Sequence, residues 1–111
     1  IVASYYSGME VTVPVFASQL NSGFTAADIK KVYGEKYCSD IVRYEPKSDE
    51  GGFLAANTLS GKDSMEIAVF GNDERILLTA RFDNLGKGAS GAAIECMNIV
   101  TGNEKTKGLN I

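Results

Sequence analysis

Met65-Glu66-Ile67-Ala68-Val69-Phe70, Gly71-Asn72-Asp73-Glu74 and Arg75-Ile76-Leu77-Leu78-Thr79-Ala80-Arg81-Phe82 follow one another without a break, and this stretch decides the fold. Two strand-forming runs flank a short Gly-Asn-Asp turn, which predicts an antiparallel hairpin. Upstream, Met9 to Phe16 alternates with period two, placing Met9, Val11, Val13 and Val15 on one face. Pro14 has no N–H to give, so this strand belongs at an edge or meets a bulge there. Thr25 opens a helix running to about Tyr37, with Asp28 at the acidic position of a capping box and Phe24 and Ile29 as a staple. Ile29, Val32, Tyr33 and Tyr37 form its stripe, and Gly34 weakens it by about 1 kcal/mol relative to Ala. A short strand over Ile41 to Glu45, a polar loop over Pro46 to Gly52 and a further strand over Phe53 to Thr58 are expected before the hairpin. Ser60-Gly61-Lys62-Asp63 is turn chemistry.

The length of 111 residues suits one domain or part of a larger one. Hydrophobic residues make up 44% and charged residues 23%, as in a globular domain. Eleven Lys and Arg against 14 Asp and Glu leave a net charge of −3, which excludes a dominant basic footprint for nucleic acid. No apolar run approaches the ~18 residues of a membrane span. The chain has no His, so the commonest general base and metal ligand are both missing. Its two Cys, Cys38 and Cys96, are expected to be reduced and unbonded, in keeping with a cytoplasmic protein. The chain begins Ile1-Val2-Ala3 without a signal peptide pattern, and it reads as a piece of a longer protein.

Composition changes after Phe82. Asp83-Asn84-Leu85-Gly86-Lys87-Gly88-Ala89-Ser90-Gly91 is small and polar. A helix follows with Ala89, Ala92, Ala93, Cys96, Met97 and Val100 on one side, and Gly102 ends it. Asn103 to Ile111 reads as a polar tail. Residues 86–91 match G-x-G-x-x-G, but a dinucleotide fold needs a further parallel strand and an acidic residue about 20 positions on. Two physical readings stay open for this turn. Its glycines let another surface approach closely, or its N–H groups, with Lys87 beside them, favour an anion. Cys96 is expected to be buried and inert, and Cys38 lies just past a helix end, where a thiol is not activated. Tyr5 and Tyr6 are expected to pack at the mouth of the first strand. Asp49-Glu50 and Asp73-Glu74 read as solvated turn charges. No group of residues has metal-ligand spacing.

Asp83-Asn84-Leu85-Gly86-Lys87-Gly88-Ala89-Ser90-Gly91-Ala92-Ala93, with Met97-Asn98 beyond it, resembles the C-terminal signature of N-acetyl-gamma-glutamyl-phosphate reductases. Tyr6-Ser7-Gly8-Met9 with Val11-Thr12-Val13-Pro14 resembles the strand that follows that family's histidine-bearing segment, and Phe53-Leu54-Ala55-Ala56-Asn57 resembles its strand before the hairpin. The resemblance runs from about Tyr5 to Gly102. It implies an α+β fold with a mostly antiparallel or mixed sheet and helices on one face, like the C-terminal domain of glyceraldehyde-3-phosphate-dehydrogenase-like reductases. Residues 1–111 would then be a partial substrate and dimerisation domain, with residues 86–102 packing on a nucleotide-binding domain of the parent chain.

The family reduces an acyl phosphate to an aldehyde with NADPH in arginine biosynthesis, through a Cys nucleophile in an Asn-Pro-Gly-Cys motif and a His. This chain has neither, so the resemblance implies no catalytic residue here and no activity for the chain alone. Asn84 matches the position facing the nicotinamide carboxamide, with donor and acceptor both suited to it. Lys87 and Gly88 match the adjacent cofactor-binding turn. The implied partners are the nucleotide-binding domain and further copies of the chain, with no nucleic acid and no membrane. The alternative is a non-catalytic interaction module of the same fold.

Overall fold

A computed structural model describes residues 1–111. The elements are β1 (Met9–Phe16), α1 (Ala26–Lys36), β2 (Val42–Tyr44), β3 (Met65–Gly71), β4 (Arg75–Phe82) and α2 (Gly91–Val100), with a 3-10 turn at Ala17–Gln19 and a π-helical turn at Gly86–Ser90. The strands form one mixed sheet in the order β1-β4-β3-β2. β3 and β4 make the expected hairpin, with Met65 opposite Phe82 and Gly71 opposite Ile76. Asn72 sets the turn: its Oδ1 accepts the N–H groups of Glu74 at 3.0 Å and Arg75 at 2.9 Å. Gly71 has φ +95°, and a Cβ there would strike the Arg75 carbonyl. β1 joins β4 antiparallel at the free edge, as Pro14 requires. β2 runs parallel to β3 at the other edge.

The register divides the sheet into two unlike faces. On the apolar face, Val15, Ile76, Val69 and Leu78 meet Ala26, Ile29 and Tyr33 of α1. Ile76 is fully buried at the centre. The capping box of α1 is formed, with the Asp28 carboxylate accepting the Thr25 N–H at 2.8 Å and the Thr25 hydroxyl at 2.7 Å. Tyr33 meets Tyr44 of β2 edge to face, with ring centroids 6.2 Å apart. α1 covers the β3 and β2 side of this face and leaves Val11 and Val13 of β1 exposed.

The opposite face carries a row of alternating charges in register across all four strands: Glu10, Arg81, Glu66 and Arg43. The first three are buried, because residues 45–64 cross over them. Arg81 Nε donates to Glu66 at 2.9 Å, and its Nη1 donates to Glu50 at 2.6 Å, to the Ala55 carbonyl at 3.3 Å and to Thr58 at 3.2 Å. Glu50 is exposed, as expected of a turn charge, but it is also paired with the buried Arg81. The Ala55 N–H and then Arg81 hold its carboxyl below the usual range.

Four expectations are corrected. Residues 53–58 form turns instead of a strand. Phe53 makes a single bridge to Glu50, and the rest of the segment crosses the charged face of the sheet, where the Ala55 carbonyl and Thr58 are held by Arg81. Asn103 to Ile111 is not a loose tail: Asn98 Nδ2 donates to the carbonyls of Lys105 at 3.1 Å and Lys107 at 2.8 Å, and Asn110 exchanges hydrogen bonds with Asp63. Tyr6 does not pack; it is 91% exposed. Cys96 is exposed rather than buried, because α2 turns its small-residue side away from the sheet. Cys96 and Cys38 are both free thiols, as expected. No helix is long and apolar enough to cross a membrane.

Two substitutions test this packing in opposite directions. A Cβ at Gly34 would meet the Tyr44 ring at an ordinary 3.6 Å, so Gly34→Ala is expected to stabilise the fold by about 0.5–1 kcal/mol. Ile76→Ala opens a cavity under α1 and is expected to cost about 2–5 kcal/mol. Urea unfolding of both variants measures the two shifts.

Candidate functional site

β4 ends at Phe82, and the chain passes directly into Asp83 and Asn84. Asp83 is 3% exposed and accepts four hydrogen bonds. Its Oδ1 takes the N–H groups of Leu85 at 2.7 Å and Gly86 at 3.0 Å. Its Oδ2 takes the Ser7 hydroxyl at 2.7 Å and the Gly61 N–H at 2.5 Å. Burial alone would push this carboxyl up, but the donors from Ser7, Gly61, Gly86 and Leu85 outweigh it and bring it from 3.8 to about 2.

This answers the question left open at the glycine-rich turn. The first N–H groups, at Leu85 and Gly86, are taken by the chain's own carboxylate, and the Gly88 N–H donates to the Asp83 carbonyl at 2.8 Å. The glycines serve close approach. A Cβ on Gly86 would lie 2.5 Å from the Lys62 carbonyl oxygen, one on Gly88 3.1 Å from the Phe82 ring, and one on Gly91 would run into the Asp63 side chain. None of the three has a positive φ. They are needed for space, not for backbone freedom. The resulting π-helical turn joins β4 to α2.

The three residues singled out as cofactor-facing lie together on this turn, but they are not equally free. Lys87 Nζ is 2.6 Å from Glu95 on α2, and both side chains are largely buried. The Gly88 N–H is committed to Asp83. Asn84 is half-buried, and its Oδ1 accepts the Gly8 N–H at 2.8 Å. A backbone N–H can only donate, so the atom it meets is the amide oxygen. The NH2 group, which makes no hydrogen bond within the chain, is left to face outward. Asn84 thus offers two donors that suit the carbonyl oxygen of a carboxamide, which fits one end of a nicotinamide. Ser7 and Gly8 are the hydrogen-bond partners of Asp83 and Asn84 that sequence reasoning missed. The signal was the Ser-Gly pair just before β1, overshadowed by the neighbouring tyrosines.

No protein-family model matches the chain. Among individual proteins, it is 40% identical over 106 residues to the N-acetyl-gamma-glutamyl-phosphate reductase of Brucella ovis, and equally to the proteins of that name from Brucella canis and Brucella abortus. The alignments cover 91% of this chain and 34% of each relative, so the chain spans about a third of the length of the curated relatives it matches. The resemblance read from residues 83–93 extends over nearly the whole chain.

The Asp83 carboxyl has a lower pKa folded than unfolded, so its contribution is fully present above the unfolded value of 3.8 and is lost as pH falls through about 2. A shift of this size corresponds to about 2 kcal/mol above pH ~5. Asp83→Asn removes that dependence. Melting temperatures measured from pH 6 to pH 2 are expected to show the gap between wild type and variant narrowing at the acid end.

Proposed function

We propose that this chain is part of an NADP-dependent, cytoplasmic reductase that converts N-acetyl-glutamyl phosphate into N-acetyl-glutamate semialdehyde in arginine biosynthesis. The similarity to reductases of that name along 91% of the chain carries the reading. When bound, NADPH supplies the hydride. The contribution of this chain is orientation. Asn84, pinned by Gly8, would hold the nicotinamide carboxamide through its NH2 and thereby select the ring face presented to the reacting carbon. The Lys87–Glu95 pair and the contact of Gly88 with the Phe82 ring give that turn its shape.

The chain brings no nucleophile and no base to the reaction. It has no His, and Cys38 and Cys96 are exposed thiols without a hydrogen-bonded partner. Partner surfaces are plentiful by comparison. Met97, Ile99 and Val100 on α2 are 58%, 52% and 86% exposed, which supports docking on a nucleotide-binding domain of the parent chain. Val11 and Val13 on one face of β1, with Phe16 and Leu77 on the other face of the sheet, support contact between copies. A non-catalytic interaction module of the same fold would use these surfaces too but would have no use for the free Asn84 amide.

Two measurements bear on the proposal, and the second separates it from the non-catalytic module. The 111-residue chain alone is expected to show no NADPH-dependent turnover of the acyl phosphate or its aldehyde. In the full-length parent, Asn84→Ala is expected to lower kcat/KM for NADPH about tenfold to hundredfold, the effect of losing one well-placed hydrogen bond. Unchanged kcat/KM beside a lowered melting temperature would assign Asn84 to the turn alone.

A further inference from the structure

We infer that Asp83 is a positioning residue for Asn84: it fastens the backbone around Asn84 to two distant segments, so that the amide is held in one orientation. The inference rests on the reading of Asn84 as the nicotinamide contact.

Asn84 sits inside a small closed frame. On its C-terminal side, the N–H groups of Leu85 and Gly86 turn back onto Asp83 Oδ1. On its N-terminal side, Asp83 Oδ2 is tied to Ser7 and Gly61. The Ser7 hydroxyl also lies 2.6 Å from the Ser60 hydroxyl, which joins the same two segments a second time. The next rung is the Gly8 N–H on Asn84 Oδ1 at 2.8 Å. Two adjacent residues, Ser7 and Gly8, are thereby paired in order with two adjacent residues, Asp83 and Asn84.

Gly8 is fixed from behind as well. Its φ is +125°, and a Cβ there would lie 2.6 Å from Asn57 Cα and 2.7 Å from the Ala56 carbonyl oxygen. The donor that selects the rotamer of Asn84 therefore cannot drift while Ser7 stays on Asp83. Asp83→Asn would place an NH2 or a single weak acceptor where two donors now converge, releasing Ser7 or Gly61 and with it the Gly8 rung. A purely structural carboxylate would lower stability and leave the folded protein binding cofactor as before. A positioning carboxylate moves the binding constant and the face of hydride transfer.

The experiment uses the full-length parent reductase with Asp83→Asn, Ser7→Ala and Asn84→Ala. Calorimetry gives the Kd for NADP, and NADPH deuterated separately at each C4 position gives the face of transfer. Asp83→Asn is expected to weaken NADP binding about tenfold, as for one lost hydrogen bond, and to allow measurable transfer from the second face. Ser7→Ala is expected to weaken NADP binding about threefold with little change in melting temperature. If Asn84→Ala weakens binding while folded Asp83→Asn keeps wild-type Kd and single-face transfer, the inference falls and the reading of Asn84 stands. If Asn84→Ala binds NADP like wild type, both fall. Should Asp83→Asn fail to fold, Ser7→Ala decides in its place, and a wild-type Kd with single-face transfer overturns the inference.

Discussion

The Arg81–Glu66 ion pair, with its two side chains 6% and 8% exposed, is the contact on which the polar half of the molecule depends. A buried pair of this kind contributes little net stability over apolar residues, but removing one partner strands a charge at a cost of about 3–5 kcal/mol. Here the pair acts as an anchor. Glu66 holds the guanidinium from the neighbouring strand, and Arg81 then reaches 31 residues back along the chain to Glu50 and fixes residues 50–58 over the sheet. That hold acts on the part of the segment between β2 and β3 that has no strand or helix, upstream of the buried Leu59 and the Gly61–Asp83 bond.

The next two residues continue the same logic on other neighbours. Phe82 turns to the apolar face and lies under Gly88, and Asp83 gathers the donors of Ser7, Gly61, Leu85 and Gly86. Three consecutive residues at the end of one central strand thus fasten a long loop, a π-helical turn and the entry to β1. A π-helical turn is a rare local solution. It persists because the Leu85, Gly86 and Gly88 N–H groups are met from inside, and because Gly86 and Gly91 let it lie against residues 62 and 63 and Gly88 against the Phe82 ring.

The regular elements were legible because each is written in local sequence. The hairpin shows in the alternation around Gly71-Asn72, α1 in the Thr25–Asp28 box, and β1 in its period of two. The edge position of β1 followed from one missing N–H at Pro14. What stayed hidden depends on register between distant segments. Glu50 looks like any loop acid until Arg81 is known to share its side of the sheet. Residues 53–58 read as a strand because most of their side chains are apolar, whereas the segment lies across the charged face, held by Arg81, instead of joining a ladder. The last residues looked polar and loose because the groups that hold them, Asn98 and Asp63, lie on other elements. Cys96 was misplaced because a small-residue helix face normally means a core, and here that face is turned outward.

The candidate site was legible as a motif and only partly as chemistry. A glycine-rich turn before a helix invites an anion, and the sequence supplies one three residues before Gly86 in Asp83 itself. Once that carboxylate fills the role, the turn cannot also receive a phosphate through Leu85 and Gly86 without displacing it. The same reasoning narrows Lys87 and Gly88, whose polar groups are spent on Glu95 and on the Asp83 carbonyl. The run of small residues therefore serves as the mounting of the Asn84 side chain. The Leu85, Gly86 and Gly88 N–H groups and the Lys87 ammonium are turned inward, whereas the NH2 of Asn84 makes no hydrogen bond within the chain.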